Sequence, residues 1–397
     1  MLKIVLAFAV ALPAPVLRLL GIHLPPVPAI LVFGAAVVAS AFLLVWGAEA
    51  AQHDIAGTLA TAILAVIAVL PEYAVDLYFA WSAGQIRRHA HYAAANMTGS
   101  NRLLLGLGWP FVVLLFVLGA RRRGKRVTAV ELHVARRVDL GFLGAASLYC
   151  LIIPFTGRIA WYDSLVLLAL FALYLWRAAQ GHREEPQLVG VAQRIGDLPR
   201  RARRATVISL MLAATVFVVA ASAPFAQALV AGGRQMGIDE FLLVQWLAPL
   251  SSESPELLVA GVLALRGQQD SALGTLLSAK VNQWTLLVGS LPIAFAVGGG
   301  GSAGIALDAR QTEEFILTAA QAVLGFAVLA DLRLGIREAL ALLALFGLQF
   351  PFPQREVRLG FAAAYGALAV AILVARRREL PRIAQATLRR ASSSPLA

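Results

Sequence analysis

Two acidic segments with a Pro-Glu pair lie deep within apolar sequence: VLPEYAVD at residues 69–76 and SSESPE at residues 251–256. A proline removes a backbone donor and disturbs a helical turn, and a carboxylate at membrane depth is costly. Each segment precedes an apolar helical stretch, a polar turn and a second apolar stretch. Duplicated, charged and interrupted helices are typical of the midplane binding site of a secondary transporter. We therefore predict that Pro71 and Pro255 disrupt their helices and free carbonyls that can face a cavity.

The composition identifies the broad class of protein. Hydrophobic residues make up 59% of the 397 residues, charged residues make up 14%, and the mean hydropathy is +0.76. Soluble domains carry about 25% charged residues, so this composition predicts an integral membrane protein. The single Cys150 lies within an apolar run, and one cysteine excludes an intrachain disulfide.

Apolar runs that could cross a bilayer, which takes roughly 17–25 residues each, recur along the chain. The predicted spans are 2–22, 28–51, 54–83, 90–119, 140–155, 161–178, 205–231, 238–265, 270–297, 313–331, 333–350 and 357–375. The fold class that follows is all-α and polytopic.

Basic residues predict the orientation, because lysine and arginine concentrate in cytoplasmic loops. The net charge is +12, and arginine-rich clusters follow the fourth, sixth and twelfth runs, near 121–137, 183–204 and 376–390. Twelve spans place these clusters and the C-terminus in the cytoplasm, with the chain in the plasma (inner) membrane. The pair Arg87 and Arg88 falls outside, against the trend. The distribution indicates membrane orientation and not a nucleic-acid-binding face.

Sequence motifs of several other protein classes are missing. The chain has neither a His-Glu-x-x-His stretch nor a Gly-x-x-x-x-Gly-Lys-[Ser/Thr] loop, and its six histidines fall in predicted loops or at helix ends. The glycine run at 298–301 predicts a flexible outer loop. We expect no enzymatic activity, no cofactor and no ATP, with inorganic cations and the lipid bilayer as partners.

The chain repeats its own pattern. Pro71-Glu72 leads to NMTGSN at 96–101, and Pro255-Glu256 leads to GTLLSAK at 274–280. Each copy begins in the second span of a five-span unit, and an odd span number makes the second unit enter the membrane from the opposite side. The predicted divisions are an N-terminal helix or signal peptide at 1–22, repeats at 28–178 and 205–350, a basic cytoplasmic linker at 179–204, a C-terminal helix at 357–375 and a basic tail at 376–397.

The segments at 251–256 and 96–101 resemble the two alpha-repeats of the calcium/cation antiporter superfamily, which includes the sodium/calcium and proton/calcium exchangers. Each alpha-repeat of that family has a Ser/Thr-rich Pro-Glu turn and a later Gly-Asn-x-x-Gly-Ser-Asn motif. The resemblance covers most of the chain except its first and last helices. It implies an antiporter with two inverted halves of five helices and a cation site between them.

The residue chemistry also favours a cation site, because hard cations take oxygen ligands from carboxylates, hydroxyls, amides and carbonyls. Glu72 and Asp76 are four residues apart and share a helix face, and Glu253 and Glu256 are three apart. The predicted cation-binding residues are Glu72, Glu256, Glu253, Asp76, Ser100, Asn101, Ser252 and Gln283. Of these, Glu72 and Glu256 are the principal ligands, and they bind the metal if calcium is the substrate.

Structural roles compete with this interpretation. A Pro-Glu turn also suits a helix start at the membrane surface, where glutamate meets the positive end of the helix dipole. Asp76 could pair with an arginine, and Ser100 and Asn101 could serve close helix packing.

Departures from the family pattern make sodium coupling doubtful. The hydroxyl pair before Pro-Glu becomes Ala68 and Val69 in the first copy, and a later Asn or Asp becomes Leu104 there and Gln283 in the second copy. The resemblance implies sodium ligands at these positions in sodium-coupled relatives. Calcium, sodium and protons are all possible transported ions, with proton coupling favoured.

Two basic residues lie within the motifs: Lys280 replaces a motif asparagine, and Arg102 follows Asn101. A buried cation costs about 2.5–3.5 kcal/mol on insertion scales unless it pairs with an acid or reaches water. Lys280 could be a tethered coupling cation, the acids could exchange protons for a cation, or internal ion pairs could fill the site. Snorkelling to the interface is the structural explanation. If internal pairs fill the site, the chain is a non-transporting membrane scaffold or sensor.

Overall fold

Helices joined by short connections form most of the structure. The computed structural model describes residues 2–51, 70–178, 180, 188, 190–349, 352 and 354–388. Its α-helices are α1 Leu2–Ala11, α2 Pro13–Leu19, α3 Pro26–Ala51, α4 Leu70–Gln85, α5 Ala90–Leu103, α6 Trp109–Arg122, α7 Arg137–Cys150, α8 Ile153–Thr156, α9 Trp161–Ala178, α10 Val191–Gly196, α11 Arg200–Met236, α12 Glu240–Arg266, α13 Gln269–Asn282, α14 Val288–Phe295, α15 Ala309–Leu329, α16 Ile336–Gly347, α17 Arg355–Ala375 and α18 Leu380–Leu388. Single 3₁₀ turns cover Arg87–His89 and Val134–Arg136.

Nine helical segments among the described residues are long and apolar enough to cross a membrane. The predicted all-α, polytopic membrane fold is confirmed. Helices α4, α12 and α16 lie at three further predicted spans. Residues 54–69 of the predicted span 54–83, which include Ala68 and Val69, lie outside the described residues. Residues 389–397 of the basic tail also lie outside them.

Short strands pair the connections between helices in two places. Strand β1 (Ala129–Glu131) pairs antiparallel with β4 (Arg333–Gly335), and β2 (Arg158–Ile159) pairs antiparallel with β3 (Ile305–Ala306). The predicted span 333–350 therefore begins too early, because the backbone of its first three residues bonds to β1 before α16 starts.

Widened helical turns mark the same point in both repeats. A π-helical turn at Leu104–Gly108 begins three residues after Asn101, and another at Gln283–Leu287 begins three residues after Lys280. Such turns are rare and occur often at functional sites. The matched placement shows that the two motif copies share a local backbone as well as a sequence pattern.

The glycine run near 298 does not form the expected loop. Residues Ala296–Gly300 continue α14 as a third π-helical turn, in which Gly299 has a φ of +97°. Its glycines allow close approach to α4, because a Cβ added at Gly298 would lie 2.1 Å from the carbonyl oxygen of Trp81.

Two compact units make up the chain, and each takes helices from both repeats. The first comprises Met1–Ser100, Glu184–Val259 and Ala294–Gly301, and the second comprises the remainder. In the first unit, α3 packs along α11, and α1 and α10 complete an apolar core around Leu43, Leu44 and Phe217.

Helix α15 is the buried centre of the second unit, and it packs against α7 and α17. Most side chains of α17 are exposed, as a helix that faces lipid requires. Helix α18 packs on α7, and Arg177 of α9 donates hydrogen bonds to the carbonyls of Ala386 and Thr387 in α18. These contacts fix the helices on which the motif residues lie.

Candidate functional site

The first unit brings the two Pro-Glu segments together. Helix α4 carries Glu72 and Asp76, and α12 carries Glu253 and Glu256. The charge of Glu72 lies within interaction range of both Asp76 and Glu256. Only 6% of Glu72 is exposed, and Asp76 is fully buried. Like charges in an apolar environment repel strongly, so protons or a cation would stabilise this cluster.

Asp76 faces an amide on the neighbouring motif helix. The Asn96 side chain of α5 lies beside it at a geometry poorer than an ordinary hydrogen bond. Within the described part of the chain, neither oxygen of Asp76 and neither polar atom of the Asn96 amide reaches a partner at hydrogen-bonding geometry. Buried polar atoms almost always have partners, so this pair forms a polar cradle suited to an ion or a proton.

Two predicted hydroxyl ligands keep their oxygen lone pairs available. Ser252 donates to the carbonyls of Ala248 and Pro249 at 3.3 and 3.2 Å, and Ser100 donates to the carbonyl of Asn96 at 3.1 Å. A hydroxyl that donates its proton to the preceding turn can still offer its oxygen to a cation. Both serines are buried within the first unit.

Helix α12 is not interrupted at its Pro-Glu pair, so the predicted disruption at Pro255 is wrong. The helix runs from Glu240 to Arg266. Pro255 has no N–H for the carbonyl of Ser251, and the Ser254 hydroxyl donates to that carbonyl instead at 3.2 Å. The replacement bond removes the reason for the helix to break. In the first copy, the residues before Leu70 lie outside the described chain.

A second proline in α12 frees another carbonyl, which meets the first motif. Pro249 cannot donate to the carbonyl of Gln245, and a Cβ added at Gly99 would lie 1.7 Å from that oxygen. The side chain of Gln245 lies 3.3 Å from the Thr98 hydroxyl. Only glycine fits at 99, so this motif residue allows α5 and α12 to cross at contact distance.

The second unit holds the basic residues of the motifs. The Lys280 ammonium donates to both the backbone carbonyl and the side-chain carbonyl of Asn101, the latter at 2.9 Å. It also lies 5.5 Å from the centre of the Trp284 ring, within cation–π range. Only 1% of Lys280 is exposed, so it does not snorkel to the interface. Gln283 is buried in the adjacent π-helical turn.

Arg102 pairs with an acid that the sequence analysis did not consider. Its guanidinium forms a buried ion pair with Glu314 of α15. Arg358 of α17 bonds to Glu313 at 2.7 Å and lies 4.0 Å from Glu314. Two bases and two acids therefore neutralise one another. A search for intramembrane partners of Arg102 would have pointed to the two acids that open the tenth apolar run.

The predicted residues divide between the units. The first unit contains Glu72, Asp76, Ser100, Ser252, Glu253 and Glu256, and the second contains Asn101, Arg102, Lys280 and Gln283. Among the described residues, no group of three or more His, Cys, Asp or Glu side chains is arranged to hold a metal ion. Any cation at the acids of the first unit would take neutral oxygen ligands as well.

The sequence matches the family model described as sodium/calcium exchanger protein over residues 26–179 and 206–351. This chain belongs to the sodium/calcium exchanger family. No curated protein matches this chain in sequence.

Three solved exchanger structures show the extent of the similarity. The crystal structure of the H+/Ca2+ exchanger CAX is 39% identical, with a TM-score of 0.91 over 97% of this chain and 98% of that one. The structure of native YfkE is 18% identical, with a TM-score of 0.63 over 91% of this chain and all of the other. The sodium-calcium exchanger NCX_Mj, soaked with Na+ and without Ca2+, is 15% identical, with a TM-score of 0.54 over 83% and 99%. The latter two show a shared fold.

Ser254 should stabilise this exchanger only because Pro255 follows it. Ser254→Ala should lower stability by about 1 kcal/mol, since it leaves the Ser251 carbonyl without a partner. In a Pro255→Ala background the restored backbone N–H bonds to that carbonyl, so the same serine substitution should cost little. Thermal unfolding of the four proteins in detergent measures the coupling. Equal losses in both backgrounds would show that the hydroxyl does not replace the missing bond.

Arg358 should be essential for the stability of the second unit. Arg358→Met removes the buried partner of Glu313 and leaves this carboxylate with the exposed Arg355, so it should cost on the order of 3 kcal/mol. The control is Arg355→Met, because Arg355 also pairs with Glu313 but its side chain is 66% exposed. That change should cost well under about 1 kcal/mol. Melting temperatures in detergent compare the two, and equal shifts would contradict the neutralisation argument.

Proposed function

We propose that this exchanger transports Ca2+ or a related divalent cation in exchange for protons by alternating access. Glu72 and Glu256 are the principal ligands. The observation that carries the proposal is the approach of these two glutamates from different repeats within the first unit. Either a divalent cation or protons relieve the repulsion between the two glutamates. Because the cation and the protons cannot bind the same carboxylates at once, the site can exchange one for the other.

The other residues of the first unit have supporting roles. Ser252 and Ser100 offer hydroxyl oxygens, while Asp76 and Glu253 set the charge of the site or bind a second ion. Calcium accepts six to eight oxygen ligands in flexible geometry, which suits a mixture of carboxylates and hydroxyls. Asn101 and Gln283 lie in the second unit, and their contribution as ligands stays a prediction from the motif.

Lys280 supports proton coupling over sodium coupling. Its ammonium occupies a motif position and binds two oxygens of Asn101, as a monovalent cation would. We infer that this tethered cation replaces a coupling sodium ion. The similarity to the H+/Ca2+ exchanger CAX supports the same choice of ions.

The basic clusters support an orientation with the linker, the connection after α6 and the C-terminus in the cytoplasm. The membrane would be the plasma (inner) membrane. The connections at 86–89 and 237–239 then face outward.

The alternative of a non-transporting scaffold required internal bases to neutralise the acids of the site. Arg102 forms its ion pair with Glu314, which favours transport over that alternative.

Joint replacement of the two principal ligands should abolish exchange. Glu72→Gln with Glu256→Gln should lower Ca2+ uptake by proteoliposomes at least about tenfold, because two anionic ligands are lost. Glu356→Gln is the matched control, since Glu356 is exposed on α17. Uptake that survives the double replacement would exclude the proposed site.

Calcium uptake should need a proton gradient and no sodium. An outward proton gradient should drive uptake in sodium-free buffer, and a protonophore should abolish it. The apparent affinity for Ca2+ should fall as the pH on the calcium side is lowered, because protons and calcium compete for the same carboxylates. The measurement is ⁴⁵Ca flux with sodium present or absent. Dependence on sodium would contradict the role given to Lys280.

A further inference from the structure

A cavity of about 320 Å³ lies between α4, α5 and α11, beside the connection at 86–89. Its walls include Phe79 and Ser82 of α4, Tyr92 of α5 and Val230 of α11. All of its lining residues belong to the first unit, and the acids of the candidate site are not among them. The cavity can therefore hold a ligand other than the transported cation.

Hydrogen bonds hold the walls of this cavity in place. The Gln227 amide of α11 donates to the Tyr78 hydroxyl of α4 at 2.8 Å. The Ser82 hydroxyl lies 2.6 Å from Nδ1 of His89. A wall that is fixed before a ligand arrives lowers the entropic cost of binding.

The rim of the cavity is positively charged. The charges of Arg88 and Arg234 both lie within interaction range of the His89 ring, as does the carboxylate of Glu240. Glu240 accepts hydrogen bonds from Nε of Arg234 and from the Tyr92 hydroxyl. The guanidinium of Arg234 has a further nitrogen, Nη1, with two more N–H donors. Two guanidiniums exceed the charge of this one carboxylate, so the rim favours an anionic ligand.

The arginines of this connection are unusual for their position in the sequence. Arg87 and Arg88 lie on the outer side in the proposed orientation, whereas basic residues concentrate in cytoplasmic connections. Both side chains are exposed. Membrane orientation does not account for this pair, and an anionic ligand would.

The cavity lies at the level of lipid headgroups. A bilayer core takes about 20 helical residues, and α11 begins with a basic segment at 200–204. Gln227 and Arg234 are more than that distance along the helix, so they lie in the opposite headgroup region. Trp81 is 39% exposed and lies beside Tyr78, with ring centres 6.1 Å apart. Tryptophan and tyrosine are enriched at such membrane–water interfaces.

An apolar stripe on α11 leads to the cavity. Ile208, Leu212, Val216 and Val219 are each more than half exposed, and their spacing of four, four and three residues places them on one helix face. Arg234 lies 18 residues after Val216, which is five complete turns, so it continues the same face. Acyl chains can pack along this stripe while a charged group reaches the rim.

We propose that this cavity binds the headgroup of an anionic phospholipid. The phosphate lies between Arg88 and Arg234, and the acyl chains lie along the apolar stripe of α11. The lipid stabilises the contact between α11 and α4 within the first unit. The lipid site does not depend on which ion is transported, and in the proposed orientation it faces the outer leaflet.

Native mass spectrometry of the purified full chain in neutral detergent can count the lipid. The protein is mixed with phosphatidylglycerol or phosphatidylcholine that have the same acyl chains. One phosphatidylglycerol should bind at least about tenfold more tightly than phosphatidylcholine, because only phosphatidylglycerol has a net negative charge. Glycerol 3-phosphate should not displace it, because this anion has no acyl chains. Equal binding of the two lipids would overturn the assigned headgroup, and displacement by glycerol 3-phosphate would show a site for a soluble phosphate instead.

Paired substitutions locate the bound lipid. Arg88→Gln with Arg234→Gln should lose this one phosphatidylglycerol, because both partners of the phosphate are removed. Arg377→Gln with Arg378→Gln is the matched control, since it removes the same charge from two exposed positions that do not line the cavity. The control should keep the lipid. Equal losses from the two proteins would show attraction to overall charge and would reject the cavity as the site.

A substitution that fills the cavity leaves every charge in place. Ala231 lines the cavity and is exposed on α11, so Ala231→Trp should fold and should lose the same lipid. Ala371→Trp, at an exposed position of α17, is the control and should keep it. Retention of phosphatidylglycerol by Ala231→Trp would exclude this cavity as the headgroup site, even if the arginine variants fail to fold.

Discussion

The cost of burying charge in apolar surroundings is the constraint on which this structure depends. Arg102, Glu314, Arg358 and Glu313 meet it by mutual neutralisation, and Lys280 meets it through the oxygens of Asn101. Glu72 and Glu256 have like charge and lie within interaction range of each other. The first arrangement stabilises helices, whereas the second brings two like charges together in apolar surroundings, as is typical of acids that have a functional role.

The two repeats have matching backbone conformations at their motifs, but the side chains at equivalent positions differ in chemistry. The π-helical turns begin at Leu104 in one repeat and at Gln283 in the other, each three residues beyond the motif position held by Asn101 or Lys280. The strand pairs are also repeated. Strand β1 of the first repeat pairs with β4 of the second, and β3 of the second repeat pairs with β2 of the first. An asparagine in one copy has become the partner of a lysine in the other. Asn101 and Lys280 occupy equivalent positions in the two repeats and contact each other, but one accepts hydrogen bonds and the other donates them.

Much of the fold and part of the candidate site could be predicted from the sequence. Hydropathy located the spans, because a helix in lipid must be apolar over its whole length. The Pro-Glu pairs identified the acids that the first unit brings together. Disruption of α12 at Pro255 was predicted wrongly, because helix-breaking rules count the missing N–H and not the Ser254 hydroxyl that replaces it. The ion pair of Arg102 was missed because its partner is 212 residues away in the chain.

The sequence by itself determined the membrane class, the duplicated motifs and the identity of the costly charges, since all three follow from local composition and spacing. Only the tertiary structure decided which charges neutralise one another and which repel. Arg102 lies next to Asn101 in the chain, yet its charge is met by Glu314, while Glu72 approaches Glu256 across 184 positions. Electrostatic energy depends on distance in space and on the surrounding dielectric, and neither is set until the helices have packed.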